Sequence, residues 1–310
     1  MFFATKEITS DNWMEPYERG KTIAAFGKAF DKFNKTENAK RDELIPELAK
    51  TIAAEMAPLL TREHKGPIGT KRTRNIWQAF MHCVVSVPCG QRVAYLFPLV
   101  IQELTAFPFW KDLPGMDFVL RYLSTDPWMV FGPEADPDDP PSVPEDYPIE
   151  EYLSLVSLDA RLTGMEISKD PCHPLRTIRF GLEDSRQMAV GETYFESRID
   201  AACEYICRAM LTIYDWCKEG LKASADDEDA EWEYGSGDLF PGKMGYTLER
   251  WRFWRKRLEE LQPLVTGSCL SMVNITIGRM DQVEAPVVTV LDIELFGEPC
   301  QIVAAFPPMR

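Results

Sequence analysis

In the apolar run "YLSLVSLDARLTG" two charged residues stand where a buried helix would carry none, Asp159 and Arg161. Two positions apart, they cannot face each other on a helix, so each must find its partner on another segment or in water. Glu183 in "FGLEDSRQ", and Asp200 and Tyr205 in the long run from Phe195 to Cys217, are of the same kind. Most such groups are interhelical ion pairs and hydrogen bonds at the margins of a core, because charges are seldom buried unpaired. Where a few of them converge on an apolar cavity, they have the composition of a small-molecule site. Read that way, Arg161 and Tyr205 are the candidate catalytic residues, donors to a carbonyl oxygen as charge develops on it. Trp77, Trp110, Met210, Trp251 and Trp254 then form an apolar wall, with Glu183 as a further ligand-binding candidate.

Conventional signatures fail on physical grounds. "GDLFPGKM", residues 237–244, nearly spells a phosphate-binding loop, but Met244 occupies the place of the magnesium-binding hydroxyl and no apolar strand precedes it. Its glycines read as turn residues ahead of the next helix. His82-Cys83, Cys172-His173 and the pair Cys203/Cys207 carry metal-ligating atoms, yet there is no paired C-x-x-C, no H-E-x-x-H, and only three histidines in all. Buried thiols account for the cysteines better. Neither "TGSCL" nor "YGSGD" is a strand-to-helix nucleophile elbow. His64, His82 and His173 have no sequence-level partner for acid–base work. Neither a cofactor nor a metal is expected.

The elements that must position these residues are helical. Asp42 to Leu60 carries Leu44, Ile45, Leu48, Ile52 and Met56 at helical spacing and meets Pro58 near its end. Arg74–Val87 and Arg92–Phe107 are apolar all round and belong in the interior, with Pro88 and Gly90 in the turn between them suggesting an antiparallel pair. Pro98 predicts a kink or break in the second. Ile149–Leu162 is nearly all apolar, and Leu175–Met188 is a mixed helix. Phe195, Ile199, Ala202, Ile206, Ala209, Ile213 and Trp216 step along one face as a two-helix packing seam, with Glu204–Arg208 as an i,i+4 pair on another face. The segment "TGSCLSMVNITIGRM" closes the bundle.

The segment "YTLERWRFWRKRLEEL" crowds two tryptophans, a phenylalanine and five Arg/Lys onto one helix. Thr247 is a sound N-cap and Glu249 suits the positive end of the helix dipole. Leu248, Trp251, Trp254, Leu258 and Leu261 share one stripe, so both indoles point inward and the helix is structural. The basic residues take the remaining faces, with Arg255–Glu259 and Lys256–Glu260 as i,i+4 pairs and the acidic loop Asp226–Glu233 across them.

The chain has 310 residues, of which 49 are acidic and 34 basic, giving a formal charge of −15. That balance opposes sequence-independent nucleic-acid binding and an anionic membrane surface. The amino-terminal "MFFATKEITSDNW" is no secretory signal, and no run of ~18 apolar residues spans a bilayer. A cytoplasmic protein with reduced cysteines is expected. "GPEADPDDPPSVPEDYP", residues 132–148, places six prolines and six acids in seventeen residues and reads as a solvated surface loop within one helical domain over 1–284. The tail over 285–310 differs in kind: β-branched runs on either side of "FGEP" fit a hairpin.

The order of "NIWQAFMHCVVSVPCGQ", "WKDLPGMD", "YLSLVSLDARLTG", "AACEYICRAMLTIYDW" and "LERWRFWRKRLEEL" resembles a fungal family of helical proteins catalogued only as a domain of unknown function. The likeness runs from about Asp42 to Met280, and the tail after Asp281 departs from it. Its motifs are packing signatures, so the resemblance implies a fold and carries over no functional residue. Relatives are similar to proteins encoded near fungal secondary-metabolite genes, which by analogy implies small-molecule work.

The expected architecture is all-α, an orthogonal and antiparallel bundle of about nine to ten helices. Two functions suit it. One is a cofactor-independent cyclase or isomerase, such as a pericyclase, which holds an apolar polyene or terpenoid-like substrate in a reactive conformer within an aromatic cavity. Pre-organisation supplies up to ~7–11 kcal/mol in such reactions. The other is a non-catalytic helical interaction or regulatory protein. A closed apolar cavity lined by the named residues favours the first. A filled core with an exposed apolar patch favours the second.

Overall fold

The computed structural model describes residues 16–60, 67–123, 149–185, 192–222 and 233–284, together with the backbone of 287–295 and 298–306. The fold is the expected all-α bundle. Among the described residues its helices are α1 (Pro16–Lys35), α2 (Asn38–Met56), α3 (Pro67–Val85), α4 (Leu96–Leu104), α5 (Met116–Leu123), α6 (Ile149–Gly164), α7 (Cys172–Leu182), α8 (Glu192–Arg208), α9 (Met210–Glu219), α10 (Leu248–Leu261) and α11 (Gly267–Glu284). The tail forms two antiparallel strands, β1 (Val287–Leu295) and β2 (Glu298–Phe306), in a register that pairs Val287 with Phe306 and Leu295 with Glu298. The Pro/Asp-rich stretch 132–148 and the acidic loop 226–232 lie outside the described residues.

The arrangement turns on α6. Its apolar residues point two ways: Leu155, Leu158 and Leu162 join one hydrophobic core, while Tyr152, Val156 and Ala160 join another. The first core is built on α1 to α5. There Phe26, Phe80 and Phe97 meet ring to ring, and Trp77 packs edge-on to Trp110 with centroids 5.4 Å apart. The second is built on α7 to α11. A helix with neighbours on both sides must be apolar almost all round, which is how "YLSLVSLDARLTG" reads. The polar side chains of α6 that remain buried, Ser157, Asp159 and Arg161, therefore have to be satisfied by other elements.

Three local outcomes differ from the sequence reading. First, Leu96–Leu104 packs chiefly on α2 rather than back along α3. Pro98 causes no internal kink, because a 3-10 turn over Arg92–Tyr95 precedes α4 and leaves Pro98 in its first turn, where an amide donor is not needed. Second, the seam from Phe195 to Cys217 is not one helix. It breaks at Ala209 (φ −110°, ψ 25°) between α8 and α9. Gly164 of α6 lies so close to this break that a Cβ there would sit 2.3 Å from the Arg208 carbonyl oxygen. The Cys207 carbonyl at the break is taken by Arg279 Nη1 at 2.9 Å. Third, Arg250 does not lie on an outer face of α10 but is fully buried. The outer basic residues are as expected paired within the helix, Arg255–Glu259 at 3.0 Å and Lys256–Glu260 at 3.7 Å. Their interhelical acids come from α11, with Arg255–Asp281 at 2.5 Å and Arg252–Glu284 at 3.8 Å.

Candidate functional site

Three polar constellations sit in or beside the second core. The first joins α6, α7 and α8. Tyr205 donates its hydroxyl to Asp159 Oδ2 at 2.5 Å, and His173 Nδ1 lies 2.9 Å from the same carboxylate oxygen and 2.7 Å from the Tyr205 oxygen. Both oxygens facing the ring accept, which places the imidazole proton on Nδ1. All three side chains are buried. Burial pushes the Asp159 carboxyl up, but hydrogen bonds from His173, Tyr205 and Ser168 and the His173 charge outweigh it and hold the carboxyl below its ordinary value. Burial, and then the neighbouring Asp159 charge, raise Tyr205 well above the usual phenol. A phenol so bound and so reluctant to ionise is a fixed donor, with its proton already committed to Asp159.

The second constellation ties α7 to α10 and to the loop between α9 and α10. Glu183 accepts from Arg250 Nε (2.6 Å) and Nη2 (2.8 Å), from the Trp254 indole (2.6 Å) and from the Gly237 amide (2.8 Å). The remaining Arg250 donors reach the carbonyls of Tyr234, Gly235 and Gly245. Both partners of this pair are wholly buried, with every guanidinium edge engaged. Gly237 has no room for a side chain, since a Cβ would lie 2.5 Å from Glu183. The glycine of "GDLFPGKM" thus admits a carboxylate to a loop amide.

The third constellation is the one that opens outward. The 3-10 turn before α4 presents Tyr95, 45% exposed. Its ring carries the Arg161 guanidinium at 4.6 Å and the Arg208 guanidinium at 5.8 Å. Arg208 donates to the Tyr95 hydroxyl (2.9 Å) and to Glu204 (3.2 Å). Ser157 also donates to Glu204, at 2.5 Å. Arg161 Nη1 reaches Ser157 Oγ (2.5 Å) and Nη2 the Cys89 carbonyl (3.1 Å). Its Nε is buried and meets no acceptor among the described residues. Burial, then repulsion from Arg208, lower the Arg161 pKa, while Glu204 and Tyr95 act the other way. One turn back on α8, burial pushes Asp200 up to about 6, with Glu196 and Glu204 adding to it and Cys269 opposing.

The structure divides the eight nominated residues among these places. Trp77 and Trp110 lie in the first core, where their indoles donate to the Pro114 and Ala57 carbonyls at 2.9 and 3.1 Å. Trp251, Trp254 and Tyr205 are in the second core, and Met210 packs against it just beyond the Ala209 break. Glu183 sits with Trp254, and Arg161 stands apart from all of them. No single chamber gathers the set. Sequence reasoning weighed His173 and set it aside, and overlooked Arg250 and Tyr95. Arg250 carried a signal: it lies four residues before Trp254 and eight before Leu258, on the buried face. His173 and Tyr95 carried none, because their partners arrive from distant segments.

The thiols are mostly interior. Burial pushes Cys83 and Cys217 up to about 12, and Cys203 well above the ordinary thiol. Among the described residues no group of three or more His, Cys, Asp or Glu is placed to hold a metal ion. No described helix is long and apolar enough to cross a membrane. No curated protein matches the chain, and no solved structure does. The model of the family described as "Protein of unknown function (DUF3632)" matches residues 77–258, more than half of the chain and a span that takes in all three constellations, and the chain belongs to that family.

Proposed function

We propose that the protein is a cofactor-independent enzyme of fungal secondary metabolism, working in the cytoplasm on a small apolar molecule that carries a carbonyl or carboxylate oxygen. Arg161 is the donor to that oxygen, and Tyr95 is the aromatic surface for the body of the substrate. The observation that carries this reading is the Arg161 Nε–H, buried without an acceptor among the described residues, beside a half-exposed ring and a second guanidinium. A guanidinium already oriented by Ser157 and Cys89 is a pre-organised donor for charge developing on an oxygen once the substrate displaces the groups that cover it, an effect worth about 3 kcal/mol. The reaction class that asks for nothing more is a cyclisation or isomerisation, in which the site selects a reactive conformer.

A second reading, a non-catalytic helical interaction protein, is favoured by the packing of the four indoles. They fill two cores through ring contacts, and three of the four indole donors are taken by a carbonyl or a carboxylate, instead of walling a cavity. Deleting the gene in its host and profiling metabolites separates the two. Under the enzyme reading a precursor accumulates and a cyclised or isomerised product is lost; the wild-type gene restores it and Arg161→Gln does not. An unchanged profile rejects the enzyme reading in favour of the second.

A further inference from the structure

A cavity of about 470 Å³ opens at the corner between α1 and α2, against the 3-10 turn that precedes α4. It shares no lining residue with the Arg161 constellation. We infer that it binds a small organic anion of sugar-phosphate or sugar-acid size, an oxyanion attached to a hydroxyl-bearing body.

The lining carries the chemistry for both parts. Arg41 and Arg92 supply two guanidinia, Asn34, Asn38 and Gln91 supply three carboxamides, and Phe33 and Val93 close the floor. No carboxylate lines the cavity among the described residues, in a chain whose formal charge is −15. Arg41 is set in place before any ligand arrives: its Nε donates to the Thr36 carbonyl at 3.0 Å, its Nη2 to the Asn34 carbonyl at 3.2 Å, and its guanidinium lies 5.1 Å over the Phe33 ring. Nη1 takes no partner among the described residues and remains for a ligand oxygen. Arg92 meets Asp42 Oδ2 at 3.1 Å, but both side chains are about two-thirds exposed, at 68% and 65%. Exposed pairs of this kind are held weakly, so the second guanidinium exchanges Asp42 for a ligand at little cost. Planar guanidinia suit the paired oxygens of phosphate and carboxylate alike. Carboxamides both donate and accept, which suits hydroxyl groups. The volume is within the range of small-molecule pockets, about 300–1,000 Å³.

Titration calorimetry on the full-length protein with glucose 6-phosphate, gluconate and inorganic phosphate tests the assignment. One of the two organic anions is expected to bind one-to-one with a dissociation constant below about 1 mM. Which of them binds identifies the oxyanion. Arg92→Gln and Arg41→Gln are each expected to weaken binding by about tenfold or more. Lys40→Gln, at an exposed lysine outside the lining, is expected to leave it unchanged. Arg41 also ties down the α1–α2 corner, so Arg92→Gln, at an exposed side chain, decides the matter if the Arg41 variant fails to fold. The inference is overturned if neither organic anion binds up to about 10 mM. It is equally overturned if Arg92→Gln binds as wild type does, if Lys40→Gln weakens binding as much, or if inorganic phosphate binds as tightly as either organic anion.

Discussion

Removing the Glu183 carboxylate strips the acceptor from four donors at once: two on Arg250, the Trp254 indole and the Gly237 amide. Neither Glu183 nor Arg250 is exposed, so water cannot stand in. Breaking a buried ion pair from one side costs about 3–5 kcal/mol, because the remaining charge stays desolvated. The Trp254 and Gly237 donors lie outside that pair, and a buried donor without an acceptor costs about 1–3 kcal/mol. Glu183→Ala is therefore expected to lose about 5 kcal/mol or more, comparable with the whole stability of many domains, about 5–15 kcal/mol. Glu183→Gln keeps the shape and one acceptor oxygen but turns an amide toward a guanidinium, with an expected loss of about 3 kcal/mol. Glu183→Leu combined with Arg250→Met removes both charges and recovers only part of the loss, since the carbonyls of Tyr234, Gly235 and Gly245 lose their donor. Urea unfolding followed by tryptophan fluorescence and far-ultraviolet circular dichroism measures each variant. If Glu183→Gln unfolds within about 1 kcal/mol of wild type with an unchanged denaturant slope, Glu183 is not the anchor of this half of the molecule.

Gly164→Ala places a Cβ 2.3 Å from the Arg208 carbonyl oxygen, a contact only backbone movement can relieve. A loss of about 1–3 kcal/mol is expected by urea unfolding, and a neutral result means α6 does not press on the break between α8 and α9. Tyr205→Phe leaves buried Asp159 without one of its donors and is expected to cost about 1–3 kcal/mol, read by the same assay. Asp200 has a folded-state value near 6 against an ordinary 3.8, so its favourable contribution is whole below about pH 4 and is lost as pH rises through 6. Asp200→Asn is accordingly expected to gain about 1–2 kcal/mol at pH 7.5, a figure reduced for its partial exposure, and nothing at pH 4. Equal effects at the two values rule out Asp200 titration as the cause.

The helical elements were legible because their apolar periodicity is local: the stripe of α10, its Thr247 cap accepting from the Arg250 amide, and the all-round burial of α6 can each be read from a dozen neighbouring residues. Polar partnerships were not. Asp159 was legible as a group in need of a distant partner, but nothing near it names His173 or Tyr205, which come from other helices. The break at Ala209 was equally hidden: no proline or glycine marks it in the seam, and the groups that meet it are a glycine of α6 and an arginine of α11. Arg250 was misplaced because its neighbours Arg252 and Lys256 are outward-facing and Arg255 pairs with Glu259 and Asp281, while the partner of the inward charge, Glu183 just after α7, is distant in sequence.

Because α6 lends leucines to one core and Tyr152, Val156 and Ala160 to the other, neither half of the molecule owns it. A chain severed between residues 124 and 148 hands that shared rod to the carboxyl-terminal piece. The amino-terminal piece is then left with an open furrow shaped for Leu155, Leu158 and Leu162. Such fragments have reason to find each other again, and a peptide spanning 149–164 competes for the same furrow. The two halves must accordingly melt together, as a keystone and its arch do.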